Sequence, residues 1–288
     1  MEIQALTRES LKGALPVRRR DSSKGDYGRA LLICGSVGYT GAPFLAAEAA
    51  VRSGAGLVFL GVPRDIYEIV AVKLNEAMPF PLPSEDGRLS SRSIEEILRR
   101  LEKCDVCLVG PGLGRSQGVS EVVFEIIRKS RVPLVIDADG INALSANINI
   151  LDEAACPIIL TPHEGEFKRL GGDLSKGREE GALAFIREHS CTLVLKGSGT
   201  VIAFSDGTAV RNTTGNPGMA KGGSGDVLAG MITALLAQRI PLKTAVSAAV
   251  WLHGRAGDIL REELGEYSMT PTDLVYALPR AFKELSAV

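Results

Sequence analysis

The chain has 288 residues, 45% of them hydrophobic, and 33 Lys plus Arg against 34 Asp plus Glu leave a formal charge of −1. That balance excludes an electrostatic nucleic-acid or acidic-membrane binder. The longest apolar run, Val227 to Ala237, is too short to span a bilayer, and Met1 to Arg20 lacks a signal-peptide core.

Residues 1–23 read as a lead-in segment, with a short helix from Thr7 and a basic turn at Arg18-Arg19-Arg20. Arg29 to Cys34 is a continuous apolar run, as a buried parallel strand requires, and it opens into the flexible loop Gly35 to Pro43. A helix of small residues follows over Ala42 to Ser53, then a strand over Gly54 to Leu60. Strand, glycine loop, helix, strand is the grammar of a βαβ unit. Ile66 to Asn75 and Ser93 to Lys103 are helical, the second amphipathic. Asp105 to Val109 is a strand that ends in Gly110-Pro111-Gly112-Leu113-Gly114; Val119 to Lys129 is a helix. Pro133 to Ile136 ends in Asp137-Ala138-Asp139-Gly140, Pro157 to Leu160 in Thr161-Pro162-His163-Glu164-Gly165-Glu166, and Thr192 to Leu195 in Lys196-Gly197-Ser198-Gly199-Thr200. Val201 to Phe204 and Thr208 to Arg211 form a hairpin, and helices over 244–262 and 272–284 close the chain. Polar and glycine residues recur after apolar strands, and in open α/β sheets ligands bind beyond the strands' carboxyl ends. No linker or repeat interrupts the series, so one domain over 1–288 is expected, in a cytoplasmic protein without nucleic-acid or membrane partners.

The five cysteines are odd in number. Cys104 and Cys107 have metal-pair spacing but no second pair, and Cys107 lies inside a strand, so both are read as buried thiols.

The rest of the chain is organised around Asn212 to Gly230, NTTGNPGMAKGGSGDVLAG. A glycine-rich turn that empties into an apolar helix presents unpaired N–H groups and the positive dipole end, a ready anion site. The bland alternative makes Asp226 a simple N-cap, but one cap does not require two glycine turns around Asn216-Pro217. A phosphate cradle from Gly222 to Gly225, the adjacent Asp226 and the cationic Ser/Thr loop at Lys196 together suit phosphoryl transfer, with a carboxylate aimed at a hydroxyl as base. P-loop, dinucleotide-fingerprint, nucleophile-elbow and HExxH motifs are absent. Of three histidines, His189 and His253 read as structural or surface residues. His163, in a post-strand loop, either meets a substrate or caps the helix after it.

The strings GSVGYTGAPFLAAEAAVRSGAGLV, VGPGLG, VIDADGINAL, LTPHEGEF, LVLKGSGT and GNPGMAKGGSGDVLAG run in order over nearly the whole chain from about Lys24. Together they resemble the ADP- or ATP-dependent NAD(P)H-hydrate dehydratases. The resemblance implies a ribokinase-like α/β fold, with a mostly parallel central sheet and helices on both faces. It implies dehydration of the S-form of hydrated NADH or NADPH, with ADP or ATP giving AMP or ADP plus phosphate, and Mg2+ as cofactor. Ala42, Gly112, His163 and Asp226 would line the hydrate site. Lys196, Gly197, Ser198, Gly199 and Thr200, with Gly225, would hold the AMP portion. Asp226 would be the catalytic base, Gly223, Ser224 and Gly225 an anion hole, and Glu166 a ligand to magnesium. The resemblance further implies a homotetramer. Only a short segment precedes Lys24 where many bacterial relatives carry an epimerase domain, so a separate NAD(P)H-hydrate epimerase is expected as functional partner. KGSGT leaves ADP or ATP open, with a lean to ADP. Two alternatives stand beside this reading: a kinase for a thiazole or pyrimidine alcohol, and a catalytically silent nucleotide-binding protein.

Overall fold

Ten strands in the order β1-β12-β11-β10-β9-β8-β7-β2-β3-β4 build one sheet, every neighbouring pair parallel except those made by β11. The structure is a computed structural model that describes residues 3–286; residues 1, 2, 287 and 288, the ends of the expected domain and lead-in, lie outside the described residues. In chain order the first half runs β1 (Gln4–Leu6), β2 (Arg29–Ile33), α1 (Gly41–Arg52), β3 (Leu57–Pro63), α2 (Tyr67–Lys73) and β4 (Met78–Leu82). A separate hairpin, β5 (Ser84–Glu85) and β6 (Arg88–Leu89), follows, then α3 (Ile94–Leu101), β7 (Val106–Val109), α4 (Gln117–Lys129) and β8 (Leu134–Ile136). The second half runs α5 (Asp139–Leu144), β9 (Ile158–Leu160), α6 (Glu164–Arg169), α7 (Arg178–Glu188), β10 (Thr192–Leu195), β11 (Val201–Ala203), β12 (Ala209–Asn212), α8 (Ser224–Ala237), α9 (Leu242–Ser268) and α10 (Pro271–Ser286).

The two faces follow from strand periodicity. Ala30, Leu32, Val58, Leu60 and Leu108 point into a core closed by α1, α8, α9 and α10. Leu31, Ile33, Cys107, Val109 and Ile136 point into the core beneath α3, α4, α5, α6 and α7. Both faces are covered, which is why the strands read as continuous apolar runs rather than alternating ones. Each fully buried Leu, Ile or Val side chain contributes about 1.5–3 kcal/mol.

The mostly parallel sheet with helices on both faces is as expected, and the β11–β12 hairpin is found. Several elements differ. The helix expected from Thr7 is a single 3-10 turn, Glu9–Leu11, because β1 precedes it and pairs with β12. The strand expected from Gly54 begins at Leu57 and runs on to Pro63, and the helix expected over Ile66–Asn75 spans only Tyr67–Lys73. β4 was not expected, because its sequence MPFPL carries two prolines; it is an edge strand, where proline is tolerated. α7 was missed, and α9 extends past Glu262 to Ser268, with a break at Gly265 (φ 72°).

The strand order places the site. The chain builds outward from β2 to β3 and β4, then returns to β7 on the other side of β2 and continues to β10. The reversal falls between β2 and β7, and the crevice beyond their carboxyl ends is where such a sheet takes ligands.

Candidate active site

The loops after β2 and β7 close on each other across the reversal. Gly35 N–H donates to Pro111 O at 2.8 Å and Ser36 Oγ to Gly112 O at 2.8 Å. Gly112 (φ 64°) has its backbone against α1: a Cβ there would lie 2.9 Å from the Ala42 Cβ. Ala42 and Gly112 therefore share one wall of the crevice.

The loops after β8, β9 and β10 supply charge. Lys196 Nζ donates to Asp137 Oδ1 at 2.7 Å, and Thr161 Oγ1 donates to the same oxygen at 2.7 Å. Glu166 Oε2 lies 4.0 Å from Lys196 Nζ. Asp137 is buried, 1% exposed, and holds its place because Gly110 (φ 132°) lets the β7 loop run against its carbonyl; a Cβ on Gly110 would fall 1.8 Å from Asp137 O. A backbone bridge between His163 and Lys196 carries the sheet's register past β9 and β10.

Across from this ion pair stands the N-terminus of α8. Gly223 (φ 104°) turns the chain into the helix, and a Cβ there would meet Leu45 at 2.5 Å. The Ser224 N–H is taken by Lys221 O at 3.2 Å, whereas the Gly223 and Gly225 N–H groups keep no partner among the described residues. Gly225 sits directly over the cation: a Cβ would be 3.1 Å from Lys196 Nζ and 3.9 Å from Asp137 Oδ2. The preceding loop is tied down by Asp258, whose carboxylate accepts from Gly215 N–H (3.0 Å) and Asn216 Nδ2 (3.2 Å).

Asp226 is the next residue. Burial pushes its carboxyl up to about 7; Asp137 adds to the shift, Lys196 opposes it, and Asp139 and Glu166 add further. For Lys196, burial works against the charged form, but Asp137, Glu166 and Asp226 outweigh it and hold the ammonium above the ordinary lysine value. Behind Asp226, burial followed by that carboxylate's charge raises the Cys34 thiol well above its usual range. A carboxyl held near neutrality beside an orphaned helix N-terminus can take a proton from a substrate while the N–H groups receive developing negative charge.

His163 caps α6: its Nδ1 accepts from Gly165 N–H (2.9 Å) and Glu166 N–H (3.2 Å), while its side chain stays 55% exposed. Glu166 returns the cap, its Oε2 accepting from His163 N–H at 2.8 Å, and is buried. The nomination of Glu166 as a magnesium ligand fits poorly, since its carboxylate is spent on the cap and faces Lys196. Among the described residues, no group of three or more His, Cys, Asp or Glu is placed to hold a metal. The Lys196–Thr200 loop offers backbone rather than a free cation. Cys104 and Cys107 are buried free thiols, and His189 ends α7 against Phe185.

Three contributors were not singled out from the sequence. Asp137 and Thr161 carry the only available signal, a polar residue directly after an apolar strand. His253, expected to be structural or on the surface, is buried on α9 and its Nε2 lies 3.0 Å from Ser224 O. Burial lowers its pKa to about 4, so the neutral ring donates to that carbonyl and props the first turn of α8.

The sequence profile of the NAD(P)H-hydrate dehydratase family matches residues 30–280. The bifunctional NAD(P)H-hydrate repair enzyme Nnr of Moorella thermoacetica is 42% identical over 285 residues, 97% of this chain and 54% of that protein. The chain thus spans about half the length of the curated relatives it matches first. The ADP-dependent (S)-NAD(P)H-hydrate dehydratase of Bacillus subtilis is 35% identical, over 98% of this chain and 99% of that one. Among solved structures, the Bacillus subtilis ADP/ATP-dependent NAD(P)H-hydrate dehydratase co-crystallised with ATP/Mg2+ superposes with a TM-score of 0.84 at 32% identity, covering 99% of each chain. A ribokinase-like superfamily protein of Enterococcus faecalis gives 0.88 at 30% identity, covering 99% and 97%.

Proposed function

The chain belongs to the NAD(P)H-hydrate dehydratase family, and on that premise we propose that it dehydrates the S-form of hydrated NADH or NADPH at the expense of ADP or ATP. The observation that carries the reading is Asp226: a carboxyl at about 7 at the open N-terminus of α8, opposite the Lys196–Asp137 pair. Asp226 takes the proton of the ring hydroxyl, and the oxygen attacks the terminal phosphoryl group of the nucleotide, breaking its bond to the bridging oxygen so that AMP leaves from ADP or ADP from ATP. The Gly223 and Gly225 N–H groups receive the charge on the transferring group. The phosphoester then eliminates phosphate, and the adjacent ring carbon loses a proton to restore the double bond. Ala42 and Gly112 wall the ring's pocket, and the exposed edge of His163 faces its mouth. Lys196 to Thr200 and Gly225 hold the AMP portion.

Magnesium would enter with the nucleotide, since this ion commonly keeps its waters and takes substrate phosphates plus one or two carboxylates. The wider setting belongs to the same proposal: one domain, a cytoplasmic homotetramer, and epimerisation of the hydrate left to an epimerase outside these residues.

The test is to incubate the protein with hydrated NADH, magnesium and either ADP or ATP, following dihydronicotinamide absorbance and phosphate together. Equal recovery of both supports the reading and shows which nucleotide is preferred. A phosphoester that accumulates without phosphate release would make the protein a small-alcohol kinase, and binding of nucleotide without turnover would make it a silent binder.

A further inference from the structure

Arg178, the first residue of α7, reaches the Lys196–Thr200 loop with its guanidinium. Its Nη2 donates to Leu195 O at 2.8 Å, and its Nη1 to Ser198 O at 2.5 Å and Gly199 O at 3.3 Å. Its Nε sits 3.2 Å from the Glu164 carboxylate, on the helix that begins after His163. One guanidinium thus gathers the last carbonyl of β10 and two carbonyls of the loop that follows it. In a trans peptide the C=O and the following N–H point in opposite directions, so fixing a carbonyl fixes the next N–H. Leu195 shows the rule at work: its carbonyl faces Arg178, and the next N–H, Lys196, points the other way and donates to Pro162 O at 2.8 Å. By the same geometry the Ser198 and Gly199 carbonyls turn the Gly199 and Thr200 N–H groups away from α7. Neither of these, nor the Gly197 and Ser198 N–H groups, finds an acceptor among the described residues.

Among the described residues, no other side chain from outside the loop hydrogen-bonds it from that side. A cleft of about 360 Å3 opens between α7 and the loop, lined by Arg178, Glu179, Ser198, Gly199 and Arg211. Gly197 (φ 151°) and Gly199 (φ 64°) add backbone freedom that the arginine removes. Nor does Lys196 compensate, because its ammonium is engaged by Asp137.

We infer that Arg178 is a positioning residue for the nucleotide: by holding the Ser198 and Gly199 carbonyls, with Leu195 O as its anchor on β10, it aims the loop's free N–H groups at the nucleotide's phosphate. The inference rests on the functional reading above in taking this loop as the AMP site. A lysine cannot replace the arginine, since the planar fork reaches several acceptors at once and an ammonium is a single point.

The test compares wild type with Arg178→Met and Arg178→Lys. Steady-state kinetics are run separately against ADP (or ATP) and against hydrated NADH, with ADP binding measured by calorimetry in the absence of hydrate. Loss of the fork is expected to raise the KM and Kd for nucleotide about tenfold, and less for lysine than for methionine. The KM for the hydrate should stay within twofold of wild type. An unchanged nucleotide KM in a folded variant overturns the inference, as does an equal rise in both KM values. If the methionine variant does not fold, the lysine variant decides on the same criteria. If wild type itself neither binds ADP nor restores NADH, the functional reading falls and this inference with it. Failure of the inference alone instead shows as normal wild-type turnover with indifferent variants.

Discussion

Replacing Asp226 by Asn should cut turnover sharply and, at alkaline pH, make the protein more stable. The carboxyl has a pKa of about 7 in the folded chain against an ordinary 3.8. Between pH about 4 and about 7 the folded state therefore keeps a proton that the unfolded state has released. Stability falls as pH rises across that window and stays reduced above it. The gap of about 3 units corresponds to about 4 kcal/mol at 1.36 kcal/mol per unit. The asparagine amide is imperfectly partnered in the same pocket and gives back part of that, leaving a gain of about 2 kcal/mol at pH 8.5. For a chain of this size that is a rise in Tm of about 4 °C.

The assay is the unfolding midpoint of both proteins, by heat and by urea, from pH 5 to 8.5. The difference should be largest at pH 8.5 and shrink towards pH 5, where wild type also carries a neutral side chain. Turnover should fall by roughly 10²–10⁴ throughout, the range for loss of a general base. A stability difference independent of pH, or an asparagine variant less stable at pH 8.5, would refute the assignment of a buried, like-charged environment to Asp226.

Four other changes probe the same cluster. Lys196→Met removes the cation that opposes the rise in the Asp226 pKa, whereas Asp137→Asn removes the largest charge that promotes it. The acid limb of the pH–rate profile should move up in the first and down in the second, and shifts in the same direction would contradict the arrangement. Gly225→Ala puts a methyl group 3.1 Å from Lys196 Nζ, over the orphaned N–H groups, and should lower kcat/KM about tenfold (~1.4 kcal/mol) while circular dichroism stays unchanged. His253→Gln removes a histidine that is neutral when folded, with a pKa of about 4 against 6.5. Wild-type stability is therefore lost as pH falls from about 6.5 to about 4, and urea midpoints of the variant should decline less steeply across that window.

The sheet was legible because buried parallel strands leave uninterrupted apolar runs, and RALLIC, VCLV and TLVL have few other readings. β4 was not, since proline argues against a strand until its edge position is known, and β1 was not, since three residues carry no period. At the site, the glycine window and Asp226 stood out by density and position. Asp137 looked like any strand-ending residue until Lys196 proved to turn inward to it. His163 proved to cap α6 while its side chain stays half-exposed. Arg178 left no trace at all: it opens a helix of modest amphipathicity, and its partners are carbonyls, which every residue carries.

The least visible determinant of the site is a contact one turn below it. α1 starts at the crevice with Ala42 in its first turn, and α8 starts there with Asp226 in its own. Four residues on, and hence on the same faces, lie Ala46 and Gly230. These two touch through backbone: a Cβ on Gly230 would fall 2.2 Å from Ala46 O. Two parallel helices in backbone contact at that point cannot slide along each other, so the pairing fixes Ala42 and Asp226 at the same depth. The wall of the proposed hydrate pocket and the proposed base are thus registered by a glycine that reads in sequence only as a weak spot in an apolar helix. The density of small residues in α1 and the glycine in α8 serve one requirement, which is to bring two helix N-termini close enough to act on one substrate.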